Sequence, residues 1–198
     1  MTPSIAIIGA GMGGLTLAAA LHQRGFAVRV FEQSPRFTRL GAGIQMSPNA
    51  MRVLRGIGLE PRIRQRAFQP RSWTNREWDT GALTNELPLG DEAEAKYGAP
   101  YLLMHRGDLH DALVSAVPGE LIALDKKLVD LDWRGSGVTL HFADGGCAQA
   151  DAVVAADGIH SRVRELWLGA ENANYTGRVA YRTTFPATLL QGFPIDEC

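Results

Sequence analysis

Gly9, Gly11 and Gly14 stand in the spacing G-x-G-x-x-G, directly after the apolar run from Ser4 to Ile8. No other feature restricts the fold of this chain as strongly. Glycine triplets occur in many turns, and alone the spacing is a weak signal. Here it is preceded by a β-branched strand pattern and followed by Leu15, Leu17, Ala18, Ala19 and Leu21, which read as a helix ending near Gly25. A second strand pattern over 27–31 then finishes at Glu32. In that context each glycine has a physical task. Gly9 permits the tight turn, Gly11 lets a pyrophosphate approach the backbone, and Gly14 lets helix and strand pack closely. The helix N-terminus offers unpaired N–H groups and the positive end of its dipole to the diphosphate. Glu32 can accept hydrogen bonds from ribose hydroxyls, and its charge disfavours a 2′-phosphate. The expectation is a βαβ unit that opens a parallel sheet and binds a dinucleotide.

Composition narrows the rest. Of 198 residues, 45% are hydrophobic and the charged ones occur in short runs, so the chain can bury a core and is not a disordered segment. The net charge of -1 gives no reason to expect nucleic acid or an anionic membrane as partner. Two cysteines, Cys147 and Cys198, argue against a disulfide scaffold, fit a reducing compartment, and are too few for a thiol zinc site. Residues 5–21 are uncharged and approach the length of a membrane span. No Lys or Arg precedes them, however, and four glycines cluster within them, which suits a turn. The expected location is the cytoplasm.

Further along, 36–45 reads as a loop rich in glycine and basic residues, and Ser47-Pro48 as a helix start. Six arginines and one acid lie between Arg52 and Arg71, read as a solvated basic face rather than an anion site. Residues 73–89 suggest a hairpin turning at Thr80-Gly81, and 101–105 a strand. Asp108 can cap a helix through Leu109, Leu113 and Val117. A second hairpin is expected from 128–133 and 138–142 over the turn 134–137, with another turn at Asp144-Gly145. Residues 152–156 read as a buried strand, followed by Asp157-Gly158 and a helix over 161–168. This second strand–turn–helix brings Asp157, Arg162 and Arg164 to a sheet end, where ligand groups gather in α/β folds. An ordinary turn, with Asp157 steadying it and Ser161 capping the helix, fits the same residues equally well. The five histidines, at 22, 105, 110, 141 and 160, show no metal-ligand spacing. They read as surface or hydrogen-bonded core residues, and Trp73 and Trp78 as packing residues.

Residues 9–32, Arg106 with Leu109 and Leu113, and 157–164 together resemble the single-component FAD-dependent aromatic hydroxylases, a group that includes salicylate and 4-hydroxybenzoate hydroxylases. The resemblance runs over nearly the whole chain in order and spacing. Within the group it is strongest to the 6-hydroxynicotinate 3-monooxygenases. That rests on Leu40-Gly41-Ala42-Gly43-Ile44, Trp78-Asp79-Thr80-Gly81, Leu87-Pro88-Leu89-Gly90-Asp91, His105-Arg106-Gly107-Asp108 and Tyr175-Thr176-Gly177. It implies an α/β fold: a Rossmann-like FAD/NAD(P)-binding domain with a parallel sheet, β-hairpin insertions and the start of a substrate domain. The FAD-binding part would cover 1–170 discontinuously, with 70–105 contributing to the substrate domain and 171–198 beginning it.

The resemblance also implies roles. Gly14 would sit against the FAD pyrophosphate, Glu32 and Gln33 at the adenosine ribose, and Leu128 would offer backbone contacts to adenine. Arg106 would reach the flavin side, and Asp157 with the residues after it would serve both FAD and a transient NADH or NADPH. The chemistry implied is reduction of FAD by NAD(P)H, reaction with oxygen, and hydroxylation of an aromatic or N-heteroaromatic acid, with a homodimer as the candidate assembly. Two departures stand out. Gln45 occupies a place near flavin and substrate where 6-hydroxynicotinate enzymes tend to carry histidine and salicylate-type enzymes glutamine. A later Gly-Asp segment that holds the flavin ribityl and pyrophosphate has no counterpart in Gly90-Asp91 or Gly107-Asp108. The expectation is therefore the N-terminal half of an FAD-dependent monooxygenase, which alone should not hydroxylate. Its rivals are a catalytically inactive FAD-binding chain and a nicotinamide-dependent dehydrogenase, which leaves Arg106 and Asp157-Gly158 unexplained.

Overall fold

The computed structural model describes residues 2–39, 41–133, 135–172, 174–181 and 185–192. Leu40, Arg134 and Cys198, to which expectations were attached, lie outside this set. In chain order, β1 (Ser4–Ile8), α1 (Met12–His22) and β2 (Ala27–Phe31) come first. Then follow β3 (Gly43–Met46), α2 (Pro48–Gly56), α3 (Glu60–Arg64), β4 (Ser72–Arg76), β5 (Leu83–Pro88) and α4 (Asp91–Tyr97). β6 (Leu102–His105) runs directly into α5 (Arg106–Ser115). After these come β7 (Ile122–Ala123), β8 (Leu128–Asp132), β9 (Val138–Phe142), β10 (Cys147–Ala150), β11 (Ala152–Ala155) and α6 (Arg162–Leu168), with a 3-10 turn at Ala187–Leu190. The chain divides into two compact units, Met1–Thr38 with His110–Val179, and Arg39–Leu109 with Ala180–Cys198.

In the first unit, a parallel sheet runs in the order β11-β1-β2-β7. The expected βαβ unit is present, with β1 and β2 in register from Ser4↔Ala27 to Ile8↔Phe31. Strand side chains alternate between faces. Ala6, Ile8 and Phe31 therefore turn one way, into a cluster with Leu128, Leu140, Phe142 and Val163. Ile7 and Val30, both fully buried, turn the other way, the side on which α1 buries Leu15, Ala18 and Ala19. Full burial of an aliphatic side chain of this size contributes about 1.5–3 kcal/mol. The layers are thus α1, the parallel sheet, and an antiparallel sheet ordered β10-β9-β8. The hairpin of β8 and β9 matches the sequence expectation, and the turn at Asp144-Gly145 leads into β10. One reading is corrected: β11 is not a buried strand. It forms one edge of the parallel sheet, pairs only with β1 among the described residues, and leaves Ala152 and Ala155 exposed.

The second unit departs more from the sequence. Residues 36–45, read as loop, end in β3, which pairs antiparallel with β6 from Gly43↔His105 to Met46↔Leu102. The partner lies about sixty residues away, so no local pattern announces the pairing. The β4–β5 hairpin is present, with Gly81 at φ +69 in its turn. Asp108 does not cap a helix: α5 begins at Arg106 with no intervening loop, and it ends at Ser115, before Val117. The Asp108 carboxylate instead meets Arg39 at 3.0 Å and Arg66 at 3.6 Å. The arginine run is also more than a solvated face. Arg55 and Arg64 both bind the carboxylate of Glu60, which is buried, and Arg64 also pairs with Glu94. The Arg55 guanidinium beside Glu60 holds its carboxyl below the usual glutamate range, with Arg64 acting the same way.

Candidate functional site

A groove of about 690 Å³ opens where β1, β2 and β11 end, bordered by Gly9, Gly11, Glu32, Leu128 and Asp157. Its size falls within the range of small-molecule and cofactor sites. The three glycines of the fingerprint meet quite different surroundings. Gly9 adopts φ +101, and a Cβ there would lie 2.5 Å from the Ala156 carbonyl oxygen. A Cβ on Gly14 would lie 2.0 Å from the Gly9 carbonyl oxygen, so α1 reaches the strand only because that position is bare. Gly11 has φ -73, a value open to any residue, and a Cβ there would meet nothing within 4 Å. Two of the glycines are demanded by the protein's own packing. The third leaves open space at the head of α1, where no side chain caps the first-turn N–H groups.

The loop between β1 and α1 is held from both sides. The Ala10 N–H donates to Glu32 Oε2 at 2.8 Å, and His110 Nε2 meets the Ala10 carbonyl at 2.9 Å. Glu32 Oε1 accepts from the Ser34 N–H at 2.9 Å. Each carboxylate oxygen can accept more than one hydrogen bond, so Glu32 keeps capacity for a ligand hydroxyl. Gln33 follows it, exposed on the groove wall.

On the far wall, Leu128 is buried and Val129 is an extra residue in the β8–β9 register, a bulge of the kind that re-aims backbone beside a ligand site. The Arg162 guanidinium grips the Val129 carbonyl through Nε at 3.1 Å and Nη2 at 3.0 Å. Asp157 lines the groove, but its carboxylate also serves α6: it accepts from Ser161 Oγ at 2.6 Å, the Arg162 N–H at 2.7 Å and the Val163 N–H at 3.2 Å. Ser161 Oγ in turn accepts from the Arg164 N–H at 3.0 Å. Lys126, also on the wall, pairs with Asp144, and together with the Gly146 N–H it holds that carboxyl below the usual aspartate range.

Gly9, Gly11, Gly14, Glu32, Gln33, Leu128 and Asp157 thus belong to one unit, and all but Gly14 line one groove. Gln45 and Arg106 belong to the second unit. Gln45 lies on β3, exposed, beside a shallow hollow of about 190 Å³ shared with Trp73, Thr74 and Tyr101. Burial pushes the Tyr101 phenol up from its ordinary value. Arg106 is exposed at the head of α5, its stem against Gly41, which takes φ +128 and accepts from His105 Nε2 at 3.0 Å. Sequence reasoning did not single out His110 or the Val129 bulge. The only signal for either was indirect: a histidine on a helix face and a strand one residue too long.

A family model described as the FAD binding domain matches residues 2–181. The chain is 47% identical over 197 residues to 6-hydroxynicotinate 3-monooxygenase of Bordetella bronchiseptica, covering 99% of this chain and 51% of that protein. It is 43% identical to 3-amino-4-hydroxybenzoate 2-monooxygenase of Streptomyces cremeus, over 97% of this chain and 48% of that protein. Among solved structures, Klebsiella pneumoniae HpxO, complexed with FAD and uric acid, superposes with a TM-score of 0.73 at 27% identity, covering 82% of this chain and 41% of that one. The chain spans about half the length of the curated relatives it matches. The α/β architecture with its parallel sheet is the one these comparisons share.

Proposed function

The chain belongs to the FAD-binding-domain family, with FAD as its cofactor, and on that premise we propose that it serves the NAD(P)H-driven hydroxylation of an aromatic or N-heteroaromatic acid. The relatives favour 6-hydroxynicotinate as the substrate, whereas Gln45 favours salicylate. The observation that carries the cofactor's placement is the contrast among the glycines. Gly9 and Gly14 are fixed by internal contacts, while Gly11 is bare toward open space at a helix N-terminus. That is the relief needed by a diphosphate and by nothing in the protein itself.

In this reading the α1 N-terminus and Gly11 receive the diphosphate, and Gly9 and Gly14 shape the loop. Glu32 and Gln33 take the adenosine ribose, and the Leu128 backbone meets adenine. Asp157 presents the turn that faces both FAD and the incoming NADH or NADPH. Arg106 supplies positive charge on the flavin side, and Gln45 lines the approach of the ring substrate. FAD, when bound, supplies the two-electron and oxygen chemistry; the residues of this chain bind, orient and exclude water. Residues 1–170 form the FAD-binding part, while 70–105 and 171–198 belong to the substrate side, and the assembly is a homodimer.

The test is oxygen uptake by the FAD-loaded protein with NADH or NADPH and a panel of hydroxylated aromatic acids, followed by product analysis. Uptake stimulated by one acid, with a hydroxylated product in proportion, supports the reading. NAD(P)H oxidation that yields only hydrogen peroxide for every acid favours a chain that holds FAD without hydroxylating. Absence of flavin binding refutes the reading.

A further inference from the structure

We infer that His110 is a positioning residue for the dinucleotide loop, setting the direction in which the Gly11 N–H faces the diphosphate; the inference rests on the FAD reading above. His110 lies on the part of α5 that belongs to the first unit, a hundred residues from the loop in sequence, with Nε2 at 2.9 Å from the Ala10 carbonyl oxygen. A carbonyl oxygen only accepts, so Nε2 must carry the proton. The edge of the imidazole is steadied by Phe37, whose ring centroid lies 5.0 Å away at 66°.

The consequence follows from peptide geometry. The Ala10–Gly11 bond is planar and trans, so its N–H points opposite to its C=O. With the Ala10 carbonyl drawn onto His110, the Gly11 N–H is turned away from α5. Gly11 lines the groove, and a Cβ on it would meet nothing within 4 Å. The preceding peptide is fixed independently, because the Ala10 N–H donates to Glu32 Oε2 at 2.8 Å. Ala10 stands between two glycines, residues that tolerate many backbone angles. A loop so built needs external restraint if its N–H groups are to be aimed before the ligand arrives, and His110 and Glu32 supply one restraint for each peptide plane.

Two measurements on the full chain test this. Long-range proton–nitrogen NMR correlations of the ligand-free protein should show His110 with its proton on Nε2; a neutral ring protonated on Nδ1 alone overturns the inference, whatever the variants do. FAD titration followed by flavin fluorescence should then compare His110→Leu, which keeps bulk without a donor, with His110→Gln, which restores an N–H. We expect His110→Leu to bind FAD roughly fivefold to tenfold more weakly, the worth of one neutral hydrogen bond. His110→Gln should stay within about twofold of the unmodified chain, with urea denaturation of the ligand-free proteins confirming that both variants are folded under the titration conditions. Unmodified affinity in His110→Leu, or equal losses in both variants, overturns the inference alone. Failure of the unmodified chain to take up FAD overturns the functional reading and this inference with it.

Discussion

A single added Cβ should destabilise the protein at two of the three fingerprint glycines and leave the third unaffected. In Gly14→Ala the new atom would sit 2.0 Å from the Gly9 carbonyl oxygen and 3.1 Å from its carbon, where ordinary contact begins near 3.4 Å. Both neighbours are backbone, so relief requires α1 to move off the strand. Overpacking of this kind costs about 3 kcal/mol at the upper end of the usual range. The better helix propensity of alanine offsets about 1 kcal/mol of it. The net loss is about 2 kcal/mol, which for a chain of this size lowers Tm by roughly 4–8 °C. Gly9→Ala combines a φ of +101 with a 2.5 Å approach to the Ala156 oxygen. The backbone strain costs about 1–2 kcal/mol, and the clash adds to it, for a total of about 3 kcal/mol. Gly11→Ala, with an ordinary φ and empty surroundings, should stay within about 0.5 kcal/mol of the parent. Thermal and urea denaturation of the ligand-free proteins measure all three. A neutral Gly14→Ala, or a Gly11→Ala loss as large as the other two, would contradict these contacts.

Three further outcomes are expected. Glu60→Gln should cost about 2 kcal/mol, the worth of charge-assisted hydrogen bonds to a buried carboxylate with partly exposed partners. Because the folded-state pKa of Glu60 is lowered, its stabilisation is full above the unfolded value of about 4.3. That contribution fades as pH falls through the lower folded value. The variant's acid-denaturation curve should lose this component, and an unchanged curve would count against the ion-pair account. Asp157→Ala removes the acceptor of two α6 N–H groups and should destabilise by about 1–2 kcal/mol. Hydrogen exchange should quicken at residues 162–164, and unchanged protection there would deny Asp157 its capping role. Gln45→His should raise turnover of 6-hydroxynicotinate relative to salicylate at least tenfold, read as the ratio of kcat/KM values; an unaltered ratio means that this position does not select the substrate.

What could be read in advance was what depends on near neighbours in the chain. The run from Ser4 to Glu32 is one strand, one turn, one helix and a second strand, and the packing tasks of Gly9 and Gly14 follow from their places in that short path. Ser161 as a helix cap was legible for the same reason. The misreadings share a different cause. β3 is four residues long and exists through its pairing with β6, about sixty residues on. Asp108 looked like a cap because it precedes an apolar helical pattern, yet Arg39 and Arg66 claim its carboxylate across the fold of the second unit. β11 has the composition of a buried strand but lies at an edge, since small residues alone do not say which neighbours a strand will have. Glu60 drew two arginines out of a run that looked uniformly solvated. Of the candidate site, the glycines and Glu32 were legible, whereas the hold of His110 on Ala10 spans a hundred residues and leaves no periodic trace.

In the function proposed above, the FAD diphosphate sits in the space above Gly11. FAD titration of the unmodified chain beside Gly11→Val, with ligand-free stability measured on both, tests it most directly. Valine accepts the φ of -73 found there, and its Cβ would meet nothing within 4 Å. The ligand-free proteins should therefore unfold at the same urea concentration, while FAD affinity falls at least tenfold, a loss of about 1.4 kcal/mol or more. Equal FAD affinity in the two proteins would contradict the claim.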